Sequence, residues 1–459
     1  ALVGCSGGEP DCSGGEPDPA AQSVLEGDPP SLRSWSGAAS CCGEDPHPVH
    51  GAALADGSVV MVGKAAASGE QTAGFITHWA APERPAYGNF VDDGEGIILH
   101  TMTLEPDSSL LQVASAGELV VAVGFQAASG GDTAHGVVLA LDAATFDVRA
   151  QLRVDAPQNG ESAALESVIV TTDGRVVVGG AWGLAREQME GFKSYGNVVG
   201  GQGVVMEFEL AAWLSASEGG AVATPADVSA VSREFPETFS VKSMRRWSDG
   251  GVVAVASDLD EQSGVLWVDA GLTGHRWMPY AEGIELTDVS VFTGLDQGDA
   301  IAVVGHGGSN TIDGHAALMD TQGVVMWTAT FGNAGLDASE VPDGGLAPDK
   351  LIFDECWGVA QRGASLVVAC GTGIEGCGAV EATASETQAC EGDPRRSWRS
   401  YLVAVDGAGE VLWSRADSFV ESTGEASESA AEFVVVDAAG DIYAIIDQVF
   451  GVGLARFGG

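Results

Sequence analysis

An all-β repeat fold, a seven-bladed β-propeller, is the architecture this sequence predicts. Three observations carry that reading. A unit of apolar strands and glycine turns recurs seven times. Each unit holds a Val/Ile-rich second strand bounded by Gly. The seventh unit ends after three strands, at Phe457, while a lone strand-like segment with a Trp, Leu32–Trp35, stands at the other end of the chain. An orphan strand at one end and a missing strand at the other close a ring, and closure removes the unpaired sheet edge that an open array would carry.

In chain order, residues 1–30 read as a linker of Gly, Pro, Ser and acids, in which CSGGEPD occurs twice in succession. Residues 31–37 are the closing strand, and the propeller occupies 31–459. The first turn of each unit falls at Asp56-Gly57, Ala116-Gly117, Asp173-Gly174, Asp249-Gly250, Gly298-Asp299, Arg362-Gly363 and Ala439-Gly440. Second strands follow as SVVMVG, ELVVAVG, RVVVGG, GVVAVAS, AIAVVG, SLVVACG and DIYAIID. Third strands follow as GFITHWA, HGVVLALD, QGVVMEFEL, GVLWVDA, HAALMD, YLVAVD and GVGLARF. A third-strand ending of the form D-x-x-G-x-x-x-W occurs at Asp320–Trp327 and Asp406–Trp413, and more loosely at Asp269, Gly274 and Trp277.

These endings, with the D-G-x-h-h-h-x-G strands at Asp56–Gly63 and Asp173–Gly180, resemble the pyrroloquinoline-quinone-like and delta-60 repeats common in exported bacterial proteins. The resemblance covers about residues 31–459 and implies the propeller fold. No quinone, alcohol-oxidising or haem site accompanies it.

The chain has 459 residues, with 20 Lys+Arg against 65 Asp+Glu and a formal net charge of −45. So acidic a surface excludes nucleic acid as a partner and disfavours adsorption to anionic lipid. It favours cations, calcium among them. No run of residues is long and apolar enough to span a bilayer. Leu2-Val3-Gly4-Cys5 resembles a bacterial lipobox, which makes Cys5 a lipidation candidate; the alternative is a disulfide at Cys5. Lipid is the one route to a membrane. Eight Cys suit an oxidising compartment, with Cys356, Cys370, Cys377 and Cys390 close enough for local bridges and Cys41 and Cys42 adjacent. The chain is expected outside the cytoplasm, secreted or held at the cell surface.

Inner strands line the channel of a propeller. Counting back seven residues from each turn gives Val49 or His50, Ser109, Glu166, Lys242, Asp288, Glu355 and Glu432 as one ring. Of these, His50, Glu166, Asp288, Glu355 and Glu432 are candidate ligands of a hard cation such as calcium; the other reading is hydrated side chains or strand caps. Two His-bearing loops, 130–136 with His135 and 307–315 with His315, occupy the same place in blades two and five, and His306 adds a third imidazole. A hydrogen-bonded loop His is the simpler account of both. Loop 371–400 carries Arg395, Arg396 and Arg399, a docking point for an acidic neighbour, including a second copy, or a set of local ion pairs. Trp79, Tyr87, Trp182, Trp213 and Trp267 serve either as blade packing or as an aromatic surface for sugars. No nucleophile, metalloprotease, phosphate-loop or EF-hand motif is present.

The function this composition supports is a non-catalytic binding or assembly module, with itself, other surface proteins or envelope polysaccharide as partners. The alternative is a metal-dependent hydrolase or lyase acting on a polysaccharide through the channel carboxylates.

Overall fold

A computed structural model describes residues 30–38, 44–66, 72–80, 90–91, 98–127, 133–158, 160–184, 201–258, 262–295, 298–307, 312–331, 354–372, 399–417, 429–448 and 451–458. Cys5, Cys41, Cys42, Tyr87, Cys377, Cys390, Arg395 and Arg396 lie outside them, and Arg399 is described only as strand backbone.

The strands form seven sheets, each a meander of four antiparallel strands. Blade 1 runs Glu44–Ala53, Val59–Ala66, Thr72–Trp79, Ile98–Thr103. Blade 2 runs Ser108–Ala116, Leu119–Ala127, Ala134–Asp142, Val148–Val154. Blade 3 is Ser162–Val170, Arg175–Leu184, Gln202–Glu209, Val231–Phe235, and blade 4 is Thr238–Arg246, Val252–Asp258, Ser263–Val268, His275–Pro279. Blade 5 is Ile284–Phe292, Ala300–Gly307, Asp313–Met319, Val325–Phe331, and blade 6 is Glu355–Arg362, Ser365–Thr372, Arg399–Asp406, Val411–Asp417. Blade 7 supplies three strands from the C-terminus, Ser429–Val436, Ile442–Gln448 and Gly451–Gly458, and takes its fourth, Ser31–Ala38, from the N-terminal segment, antiparallel to the last. The ring is a seven-bladed propeller closed by that strand.

The D-x-x-G signature is an Asx turn. Oδ1 of Asp320 accepts the N–H groups of Gln322 and Val324, and Asp406 and Asp437 do the same for residues two and four ahead. Gly323 and Gly409 complete these turns at φ +84° and +87°, where a side chain would strain the backbone. The Trp has its own reason. Trp327 of blade 5 lies over the turn of blade 6, its Nε1–H donating to Gly407 O at 3.1 Å, and a Cβ on Gly409 would meet its ring at 2.8 Å. This Trp therefore links the turn of blade 6 to blade 5.

Second strands are largely apolar because both faces are covered by adjacent blades. Val121, Val123 and Val138 of blade 2, for instance, share one core with Leu165, Val176 and Val178 of blade 3. Trp79, Trp182, Trp213 and Trp267 are all buried in such cores. An aromatic surface for sugars built on them is thus overturned: their indoles are consumed in packing.

Two short additions were not legible in the sequence. Val222–Ala223, following a helix at Leu210–Ala216, pairs in parallel with the outer edge of blade 2. Phe90–Val91 pairs likewise with Gly37 and Ala38 of the closing strand.

Candidate functional site

Each of the seven inner strands carries a β-bulge in its middle, at Val49, Leu111, Glu166, Lys242, Thr287, Trp357 and Glu432, and those of blades 1, 3 and 4 have a second register shift near their start. A bulge leaves one residue unpaired and re-aims its side chain. All seven line a single cavity of about 100 Å3 in the middle of the ring.

The ring read from the sequence is correct in blades 1, 3, 4 and 7, at Val49, Glu166, Lys242 and Glu432. It is corrected elsewhere, because the count assumed one turn length. In blades 2 and 6 a two-residue loop joins the first strands, so Leu111 and Trp357 take the places given to Ser109 and Glu355. In blade 5 a longer loop moves the bulge to Thr287, one residue before Asp288. Glu355 does not line the cavity, although its charge reaches Glu432.

The residue after the bulge has a separate task. Asp288 accepts the Val359 N–H of blade 6 at 2.9 Å, the Ser243 hydroxyl, and Arg245 at 3.2 Å. Gln112 of blade 2 accepts the Val168 N–H of blade 3. His50 of blade 1 accepts the Val113 N–H of blade 2 on Nδ1 at 3.5 Å and packs on Phe433 with ring centroids 3.8 Å apart and the rings tilted by 34°. These side chains pin the next blade's inner strand. His50 Nε2 is buried with no hydrogen-bond partner.

Around the cavity, charges meet across blade boundaries. Lys242 Nζ donates to Glu285 at 2.9 Å and Arg245 pairs with Asp288. At the seam of blades 1 and 7, His47 lies 3.1 Å from Asp447, and the buried Lys64 interacts with Asp447 and Glu432. Lys64 and Asp447 were missed in the sequence. A signal existed: each is a lone charge in an otherwise apolar second strand, and a charge in a covered strand demands a partner.

Burial sets the protonation states. Glu166, 4% exposed, is pushed up to about 8, opposed by a hydrogen bond from the Ser240 hydroxyl and by Lys242. Glu432 is raised well above the carboxylate range by burial and then by the charges of Asp447 and Glu355, against Lys64. Lys64 is lowered to about 8 by burial, with Glu432 and Asp447 holding it up. Burial, then Arg245, drives His50 well below its ordinary value and keeps it neutral.

Among the described residues no three His, Cys, Asp or Glu side chains are grouped to hold a metal ion. Cys356 and Cys370 form a disulfide between paired strands of blade 6. His315 Nε2 bonds the Tyr280 hydroxyl at 2.7 Å, and His135 sits buried beside Arg153 and Asp155. His306 lies near Glu285 and Trp357. The loop imidazoles thus sit apart, with blade residues as neighbours. No described helix is long and apolar enough to cross a membrane.

No family model and no curated protein matches this sequence. Among solved structures, the chain is similar to the WD40 domain of Toxoplasma gondii coronin, at 10% identity over 94% of this chain and 88% of that one, with a TM-score of 0.45. It is also similar to the β-propeller domain of the Trilobed protease from Pyrococcus furiosus, at 8% identity over 94% of both chains, with a TM-score of 0.41. The seven sheets and their closure define a seven-bladed propeller.

Proposed function

We propose that this chain is an exported, non-catalytic propeller acting as a binding or assembly module at or beyond the cell surface. The observation that carries export is the Cys356–Cys370 disulfide, buried within blade 6. Such a bridge forms and persists in oxidising compartments and is rare where thiols are kept reduced. The net charge of −45 suits a surface that works in a cation-rich exterior. A lipid on Cys5, a calcium requirement, and partners among envelope polysaccharides or further copies of the chain belong to the same reading.

Its non-catalytic part rests on the engagement of the polar residues. Asp288, Gln112 and His50 brace neighbouring blades, and Lys242 is tied to Glu285. Fractionation of expressing cells, with alkylation of free thiols and intact-mass analysis, tests export. An oxidised Cys356–Cys370 pair on material outside the cytoplasm is the expected result. Reduced protein confined to the cytoplasm overturns it.

A further inference from the structure

Where the repeat places a Trp on the outer strand, blade 1 has a histidine. Trp277, Trp327 and Trp413 pair across the sheet with Leu266, Leu318 and Ala404 of the third strands. The corresponding pair in blade 1 is His78 with His100. Their rings lie nearly parallel, 19° apart, with centroids separated by 5.7 Å. Phe146, on the turn between the third and fourth strands of blade 2, packs on them at 5.6 and 5.5 Å. Blades 5 and 6 make this junction with Trp327 on the turn of blade 6. Blades 1 and 2 make it through two titratable rings.

The contacts of His78 fix its tautomer. Ser58 Oγ donates to Asp56 Oδ1, so it accepts from the His78 Nε2–H at 2.8 Å. Nδ1 is then the bare nitrogen, and it is buried with no hydrogen-bond partner. A proton added there makes a charged donor without an acceptor, on a side chain that is 4% exposed. It also sets a positive charge directly opposite His100, and like charges that face each other across a ladder repel. The ring that covers the pair is itself held under strain. Phe146 has φ +64°, in the left-handed region that a bulky side chain rarely adopts, and such a conformation persists only where its surroundings enforce it.

We propose that His78, His100 and Phe146 form an acid-released latch between blades 1 and 2: the ring stack holds the turn Asp142–Asp147 against blade 1 while His78 is neutral, and protonation at Nδ1 frees it. This goes beyond the binding reading and does not depend on it. The titratable groups around His78 come from three elements. The first turn of blade 1 brings Asp56, whose carboxylate is engaged by the Ser58 N–H and hydroxyl. The outer strand brings His100. The turn of blade 2 carries Asp142, bonded by the Ala144 and Thr145 N–H groups and by Arg149, and Asp147, bonded by the Thr145 hydroxyl. Burial, then the charge of His100, hold His78 below the ordinary imidazole value, against Asp56. The open form has the ordinary value, about 6.5, so it takes up the proton first. The latch is therefore closed above about pH 6.5 and weakens as pH falls below it.

Hydrogen exchange of the full chain, followed by mass spectrometry and corrected for the intrinsic pH dependence of amide exchange, tests this. The Phe146 N–H donates to Asp142 O and the Gly409 N–H to Asp406 O. The turns of blades 2 and 6 therefore report on a titratable and a Trp-based junction in one molecule. From pH 7.5 to about pH 5, protection over 142–147 should fall roughly tenfold or more, while protection over 406–410 holds. Restoring the residues of the repeat, with His78→Leu and His100→Trp together, should remove that fall. His78→Gln, which can still donate to Ser58 and does not titrate, is the milder variant and should remove it too. Protection over 142–147 that stays constant with pH, that falls equally over 406–410, or that falls as much in a folded His78→Gln chain as in wild type overturns the latch.

Discussion

Glu166→Gln is the substitution in which the channel electrostatics are most directly readable. The carboxyl is buried, accepts a hydrogen bond from Ser240, and has its pKa pushed up to about 8 by burial. Below about pH 4.5 both the folded and the unfolded chain hold this proton. Between pH 4.5 and 8 the folded chain still holds it and the unfolded chain releases it, so stability falls as pH rises; above pH 8 the loss is complete. The full penalty is up to about 5 kcal/mol. Gln keeps the shape and the acceptor for Ser240 and has nothing to ionise. Relative to wild type, Glu166→Gln should therefore gain up to about 5 kcal/mol between pH 4.5 and pH 9, or about 5 °C in Tm for a chain of this size. Urea unfolding at both pH values measures the difference directly. A variant whose deficit is the same at pH 9 as at pH 4.5 would show Glu166 titrating alike in the folded and unfolded chain, and would refute the reasoning.

Other outcomes follow from the same contacts. Lys64→Met leaves Asp447 and Glu432 as buried acids without their cation, and should cost about 3–5 kcal/mol in urea unfolding at pH 7; a cost under 1 kcal/mol would place the lysine outside the seam's energetics. Asp288→Asn removes the charge that holds Arg245 and accepts the Val359 N–H, and should lower stability by about 2–3 kcal/mol with an unchanged denaturant slope. Opening Cys356–Cys370 by a double Cys→Ala change releases a link across 14 residues, worth about 3 kcal/mol at most, read as a fall of about 3 °C in Tm.

The fold was legible because its signals are local. The Asx turns need Asp and Gly at fixed spacing, the covered strands need unbroken Val and Ile, and the orphan segment 31–37 sits at the chain end opposite its gap. The site was only half legible. Glu166, Lys242 and Glu432 were found by counting, since blades 3, 4 and 7 share one turn length. Ser109 and Glu355 were chosen wrongly because the two-residue loops after Ala116 and Arg362 shift the bulge by two positions. Thr287 and Trp357 carry no charge, so nothing in the sequence marks them as channel residues. Lys64 and Asp447 lie far apart in sequence and meet only because the ring closes and brings blade 7 against blade 1.

Closure itself has a clamp. Arg415, on the outer strand of blade 6, is 5% exposed; its Nη1–H donates to Pro30 O at 3.2 Å, and its guanidinium lies 5.1 Å from the Phe457 ring centroid. One side chain thus touches the residue that leads into the closing strand and the last strand of blade 7, which pair with each other. The backbone ladder of Ser31–Ala38 joins it to blade 7 along its length and to Phe90–Val91 at its far end, at Gly37 and Ala38, while Arg415 ties its entrance to blade 6. A charge-assisted hydrogen bond of this kind contributes about 1.5–3 kcal/mol. Arg415→Leu keeps much of the apolar stem and removes the donor. Its amides at 31–38 should exchange with solvent roughly ten- to a hundredfold faster, while those of blades 2–4 stay unchanged, because local opening of the last strand precedes global unfolding. Equal acceleration in every blade would mean that the closing strand and the ring unfold as one unit, and that Arg415 supports the fold without gating its seam.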